Sequence, residues 1–149
     1  DEEAIEMMGL AQYIAGMGFS NVGLGIVHSM AHPLSAVYDI PHGVACAILL
    51  TPVLKFNAPS TADKYRDIAV AMGVKNTEDM SIEQARQACI EAVEKLSVDV
   101  GIPQKLTQLG VKEEDLQFLS ESAFVDACTP GNPRDVSVEA IKEIYKSIM

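Results

Sequence analysis

Along the second half of the chain, apolar residues recur at three- and four-residue steps, the spacing that lines one face of a helix. Ile82, Ala85, Cys89, Val93, Leu96 and Val100 follow this rhythm behind Ser81 and Gln84, an S-x-x-Q capping box, and Gly101 and Pro103 close the run. Thr61 is expected to cap a shorter helix carrying Tyr65, Ile68, Ala69 and Met72, closed by Gly73. Ser137 opens a last helix with Val138, Ile141, Ile144, Tyr145 and Ile148 on one face. Another is predicted from about Lys112, where Glu113, Glu114 and Asp115 suit the positive end of a helix dipole.

The first 58 residues follow a different rule. EEAIEMMGLAQYIAGMGFSN reads as a helix that is almost uncharged after Glu6, rich in Gly and Ala, and therefore expected to be buried on several sides. VACAILLTPVL, residues 44–54, has the composition of a buried strand. Helical neighbours and the lack of a hairpin partner favour a core helix, with Pro52 bending or ending it. The predicted fold class is all-α, one multi-helix domain over residues 1–149, most buried in its N-terminal third.

Composition supports helices: hydrophobic residues make up 48% of the chain, aromatics only 5%, and Trp is missing. A formal charge of −10 disfavours nucleic acid and anionic membranes as partners. No apolar run reads as long enough to span a bilayer. Cys46, Cys89 and Cys128 are odd in number and widely spaced, as expected of reduced thiols in the cytoplasm. The Met residues, among them Met7, Met8, Met17 and Met30, are expected to fill the core. Arg134 and Asp135 read as a solvated turn, and Gly23 and Gly25 as points of close helix packing.

All three histidines, His28, His32 and His42, fall within GIVHSMAHPLSAVYDIPHG, residues 25–43. His28 and His32 share a helix face by their four-residue spacing, and a turn at Asp39–Pro41 can return His42 toward His28. Gathered imidazoles suit Fe, Zn, Ni or Cu, and they equally suit acid–base chemistry. Asp39 is the only carboxylate between Glu6 and Asp63, so a carboxylate ligand is missing nearby. A stand-alone helical module with structural or weakly metal-binding histidines is the competing reading.

The string GMGFSNVGLGIVHSMAHPLSAVYDIPHGVACAILL resembles the signature of the iron-containing (group III) alcohol dehydrogenases, G-x-x-H-x-x-A-H-x-x-G followed by P-H-G. KYRDIAVAMGV, VDVGIP and CTPGNPR extend the resemblance over the chain. It implies the C-terminal helical domain of the dehydroquinate synthase-like architecture, with a dinucleotide-binding α/β domain upstream of Asp1. It further implies a homodimeric enzyme that interconverts a small alcohol and its aldehyde with Fe²⁺ and NAD, Zn²⁺ being the alternative metal. His28 and His42 match metal ligands; an Asp and a third His would lie upstream. His32 matches a histidine near the nicotinamide, a proton relay rather than a ligand. Phe19 and Cys128 match positions near the substrate pocket. Ser35 departs from the pattern, which has glycine there, and Thr51-Pro52 displaces a proline that normally follows I-L-L.

Overall fold

The computed structural model describes residues 1–149. Seven α-helices follow one another: α1 (Glu2–Val22), α2 (Ile26–Tyr38), α3 (His42–Asn57), α4 (Lys64–Ala71), α5 (Ile82–Asp99), α6 (Leu116–Phe124) and α7 (Val138–Lys146). Short 3₁₀ turns link the later ones, and there is no strand. The core is a four-helix contact: Ile26, Met30 and Leu34 from α2, Ala45, Ile48, Leu49 and Val53 from α3, Leu116, Leu119 and Ala123 from α6, and Ile141, Ile144 and Tyr145 from α7. On α2 those residues step by four, so one stripe faces inward and the opposite face stays free for other work. The Tyr145 hydroxyl, fully buried, donates to the Met30 carbonyl at 2.6 Å and pins α7 to α2. Tyr65, Ala69, Cys89 and Ile90 form a smaller cluster between α4 and α5. There the Tyr65 hydroxyl donates to the Leu54 carbonyl at 3.0 Å, and burial pushes its pKa up to about 12.

Helix α5 begins with the predicted capping box, Ser81 and Gln84 each satisfying the other's backbone N–H. Ser137 caps α7 through its bond from the Ala140 N–H at 3.2 Å. The segment from Lys112 starts as a 3₁₀ turn at Glu113–Asp115 before α6 takes over. Thr61 does not cap α4. Asp63 stands at that position, without a side-chain bond, and the Thr61 hydroxyl turns back to the Ala58 carbonyl.

Three expectations about the first part of the chain are overturned. Helix α1 forms but contains no buried residue; Ile5, Met8 and Tyr13 are each more than three-fifths exposed. Of the methionines expected in the core, Met30 is buried while Met7, Met8 and Met17 are exposed. An apolar composition reports a preference for leaving water, but not which surface covers it. Helix α3 does not end at Pro52 but continues to Asn57, with the nearby Leu49 and Val53 held in the core. Together with the turn at Ala58–Ser60 it makes a 19-residue stretch, His42–Ser60, of mean hydropathy 1.2, long and apolar enough to cross a bilayer. In this fold Ala45, Ile48, Leu49 and Val53 of that stretch are instead core.

A polar clasp ties the end of α3 to the segment before α7. The side-chain amides of Asn57 and Asn132 bond reciprocally, at 2.9 and 2.8 Å. Asn132 Oδ1 also accepts from the Ile26 N–H at the start of α2, at 3.5 Å. Close approach requires small residues here: a Cβ on Gly25 would meet Asn132 Oδ1 at 3.1 Å, and one on Gly131 would lie 2.1 Å from the Leu24 carbonyl oxygen. Gly23 answers a different demand, a positive φ of 82° at the end of α1, with open space around it. Arg134 is exposed, as expected of a turn residue, yet it is also held in place. Its guanidinium lies 4.2 Å from the Phe56 ring centroid and donates to the Phe56 carbonyl at 2.6 Å.

Gly131→Ala is expected to destabilise the fold by about 1–3 kcal/mol, since backbone must shift to admit the methyl group, as chemical unfolding would register. Ser35 has a buried hydroxyl with no partner on α2. Ser35→Ala should therefore raise the melting temperature, the gain being on the order of 1 kcal/mol.

Candidate functional site

Local structure brings the three histidines together. One helical turn separates His28 from His32 on α2, so both rings leave the same side of that helix. Asp39, in a left-handed conformation, ends α2, and Pro41 starts α3 with His42 as its first residue. This reversal lays the His42 ring over the other two. Its centroid lies 5.4 Å from that of His28 and 5.5 Å from that of His32, stacked on the latter at 19°. His28 and His32 are 6.4 Å apart, edge to face.

The cluster resolves into two donor groups. In the first, ligand atoms of His28, His42 and Cys46 all lie within 4.8 Å of one another. Cys46 follows His42 by four residues on α3, and its Sγ stands 3.5 Å from His42 Nε2. In the second, His32, Asp126 and Cys128 satisfy the same limit. His32 Nδ1 is bonded to Asp126 Oδ2 at 2.8 Å, while Asp126 Oδ1 accepts the Cys128 backbone N–H at 2.8 Å.

Electrostatics separates the roles. Burial, followed by the neighbouring His42 and His32, holds His28 below the usual imidazole range, with Asp126 opposing the shift. His28 is thus kept neutral, with a lone pair to give. Burial alone would raise the Asp126 pKa, but the bonds from the Cys128 N–H and from His32 outweigh it, and the carboxyl is held below its ordinary range. A charged carboxylate can only accept, so the proton between these partners sits on His32 Nδ1 and leaves Nε2 as the free, basic nitrogen. Burial pushes the thiols of Cys46 and Cys128 up, the latter helped by Asp126. Cys128 is therefore not an activated nucleophile.

Phe19 and Cys128 flank the cluster from opposite ends. The Phe19 ring centroid lies 6.3 Å from that of His28, and Cys128 sits beyond His32 at the turn Thr129–Gly131. His32 and Asp126 also border a shallow groove of about 250 Å³ with Val37 and Phe118 on its wall. His32 and His42 are exposed, so the cluster opens at the surface of this chain. Two residues escaped the sequence reading, Asp126 and Cys46. Asp126 lies 94 positions from His32 with no periodic signal to link them. Cys46 did carry one, its four-residue step from His42.

The family profile for the C-terminal part of the Fe-containing alcohol dehydrogenases matches residues 1–149. The chain belongs to the iron-containing alcohol dehydrogenase family. Its similarity to members of this family is high: 58% identity over 145 residues to the lactaldehyde reductase of Escherichia coli K12, spanning 97% of this chain and 38% of that protein. Against the 1,3-propanediol dehydrogenase of Citrobacter freundii it is 44% over 144 residues, 97% and 37% of the two chains. The chain thus spans less than two-fifths of the length of these relatives. The fold matches a crystal structure of a 1,3-propanediol oxidoreductase with a TM-score of 0.88 at 43% identity, over 91% of this chain and 35% of that one. It also matches the iron-containing alcohol dehydrogenase of Thermococcus thioreducens, TM-score 0.82 at 30% identity, over 99% and 38%. The all-α arrangement is that of the family's C-terminal region.

Because His28 resists protonation in the fold, the unfolded chain binds more protons just below pH 6.5, the ordinary imidazole value. The His28 contribution to stability is whole above that pH and is lost as pH falls through the lower folded value. A melting-temperature series against pH should show a shallower decline below pH 6.5 for His28→Ala than for the parent. Equal slopes would mean that His28 is not held neutral.

Proposed function

We propose that this chain is the metal-binding, helical domain of an NAD-dependent alcohol dehydrogenase. It interconverts a small aldehyde such as lactaldehyde and its alcohol, 1,2-propanediol. The observation that carries this reading is the convergence of His28 and His42, from two different helices, on one point beside His32. The high identity to lactaldehyde reductase supports the substrate class. A dinucleotide-binding α/β domain supplies the rest of the working enzyme, which is a cytoplasmic homodimer.

The donor set fits a divalent cation such as Fe²⁺, with Zn²⁺ as the alternative: imidazole suits both metals. His28 and His42 would hold it, with an Asp and a His from outside this chain completing the set. When bound, the cation supplies Lewis acidity toward the substrate oxygen, and NAD carries the hydride.

The chain's own residues supply what remains. Alcohol oxidation removes one hydride and one proton, and the proton must reach water. His32 is the group for this task, because Asp126 fixes its Nδ1–H and leaves Nε2 available to accept. Phe19 and Cys128 line the space where a short aliphatic substrate lies.

In the complete enzyme, His28→Ala and His42→Ala are each expected to lower metal affinity by at least about 100-fold and to abolish NADH oxidation with lactaldehyde. Elemental analysis and a spectrophotometric assay read the two effects. Full iron content and activity in both variants would overturn the ligand assignment. His32→Ala should keep its metal and slow turnover by roughly 100- to 10,000-fold. Asp126→Asn should slow turnover less and shift the pH profile, because the amide can stabilise either tautomer of His32.

A further inference from the structure

Cys128 enters the proposed chemistry only as pocket wall, yet its sulfur shares a point with two other donors. His32, Asp126 and Cys128 each place one ligand atom within 4.8 Å of the other two. His32 comes from α2, while Asp126 and Cys128 stand two residues apart in the turn after α6. That turn is fixed by the fold itself. Asp126 Oδ1 accepts the Cys128 N–H at 2.8 Å, and the Thr129 hydroxyl bonds to that of Ser29 on α2, also at 2.8 Å. Oδ2 is thereby aimed at His32 Nδ1, 2.8 Å away. An imidazole nitrogen, a carboxylate oxygen and a sulfur are the three donor types that zinc takes, at about 2.0, 2.1 and 2.3 Å. Tetrahedral bonds of that length put nitrogen and oxygen about 3.3 Å apart, so the present 2.8 Å contact must open only slightly as an ion replaces its proton. Exposure of His32 leaves a path for the ion and room for a water as fourth ligand.

We infer that His32, Asp126 and Cys128 form a second, inhibitory site for Zn²⁺, beside the point on which His28 and His42 converge. The site stands on this geometry; its inhibitory character rests on the proton-relay role proposed for His32. On binding, the Cys128 S–H bond breaks, the sulfur keeps the electron pair and donates it to zinc, and the proton passes to water. The His32 proton leaves Nδ1, whose lone pair goes to zinc, and the ring takes one back from water at Nε2. Nothing is oxidised or reduced. With the hydrogen on Nε2, His32 has no lone pair left to accept a proton from the alcohol. Burial and the neighbouring carboxylate hold the free thiol protonated, but a bound dication reverses that preference. Carboxylate and thiolate together cancel the two positive charges of the ion, so a second cation near the first adds little repulsion.

The test titrates the complete enzyme, with its first cation in place, with Co²⁺ and separately with Zn²⁺. A second equivalent of Co²⁺ should bind and bring a near-ultraviolet thiolate-to-cobalt charge-transfer band. Cys128→Ala should lose that band and bind the second equivalent about tenfold or more weakly, whereas Cys46→Ala should keep both. Zinc beyond the first equivalent should slow NADH oxidation with lactaldehyde by about 100-fold or more. Cys128→Ala, read against its own zinc-free rate, should need about tenfold more zinc for the same fractional loss. A single cation per chain at zinc excess would overturn the second site. So would zinc that acts by displacing the resident ion, seen as loss of that ion in elemental analysis. A band that survives in Cys128→Ala and vanishes in Cys46→Ala would overturn it too. If the site fails in any of these ways while His32→Ala still slows turnover, the relay reading survives. A second equivalent bound through Cys128 with turnover unchanged would overturn the inhibitory role, and with it the relay assigned to His32.

Discussion

The reciprocal amide pair between Asn57 and Asn132 fastens three parts of the chain at one point. One amide stands at the end of α3, the other in the segment before α7, and Asn132 reaches on to the first N–H of α2. Both helices that carry histidines are therefore tied at the ends opposite the Asp39–Pro41 reversal. With the reversal at one end and the clasp at the other, α2 and α3 have little freedom to slide past one another. A slide by one helical turn would move a ring about 5.4 Å, more than the separation within which the donor atoms now stand. Glycine at 25 and 131 is what lets the segments of this clasp approach so closely.

The same segment also delivers the carboxylate that orients His32. Thr129 donates to the Ala123 carbonyl at the end of α6 and shares a 2.8 Å hydrogen bond with Ser29, the neighbour of His28. Asp126 lies just before this anchor, so the carboxylate that orients His32 is positioned from the rigid core rather than from a free loop. The two donor groups consequently belong to one scaffold. His28, His42 and Cys46 come from the packed pair α2 and α3, while Asp126 and Cys128 come from the turn clipped onto that pair.

Much of this was legible in the residues. α5 and α7 announce themselves because their apolar steps coincide with a capping residue, and local chemistry and packing agree. The histidine constellation was legible because its members are close in sequence and one reversal suffices to join them. Asp126 was not, since a pairing across 94 positions depends on how α6 packs against α2. The stacking of exposed Arg134 on Phe56 was not legible for a related reason: only the fold presents that ring to it. Pro52 misleads in the opposite direction: it removes a helical hydrogen bond, but core packing along α3 outweighs that local loss and the helix continues.

Helix α1 remains the least reconciled element, and its exposure has a practical corollary. Twenty-one residues carry Ile5, Met7, Met8, Leu10, Tyr13, Ile14 and Met17 into solvent with acidic groups only near the start. Such a rod behaves as a surfactant: water disfavours it, and any comparable apolar surface will be wetted by it in preference. A preparation of these 149 residues alone will thus tend toward self-adhesion and capture by chaperones, held in check chiefly by the repulsion of a strongly anionic body. Raising the ionic strength weakens that repulsion and leaves the apolar attraction intact, so salt is the variable that governs its colloidal behaviour.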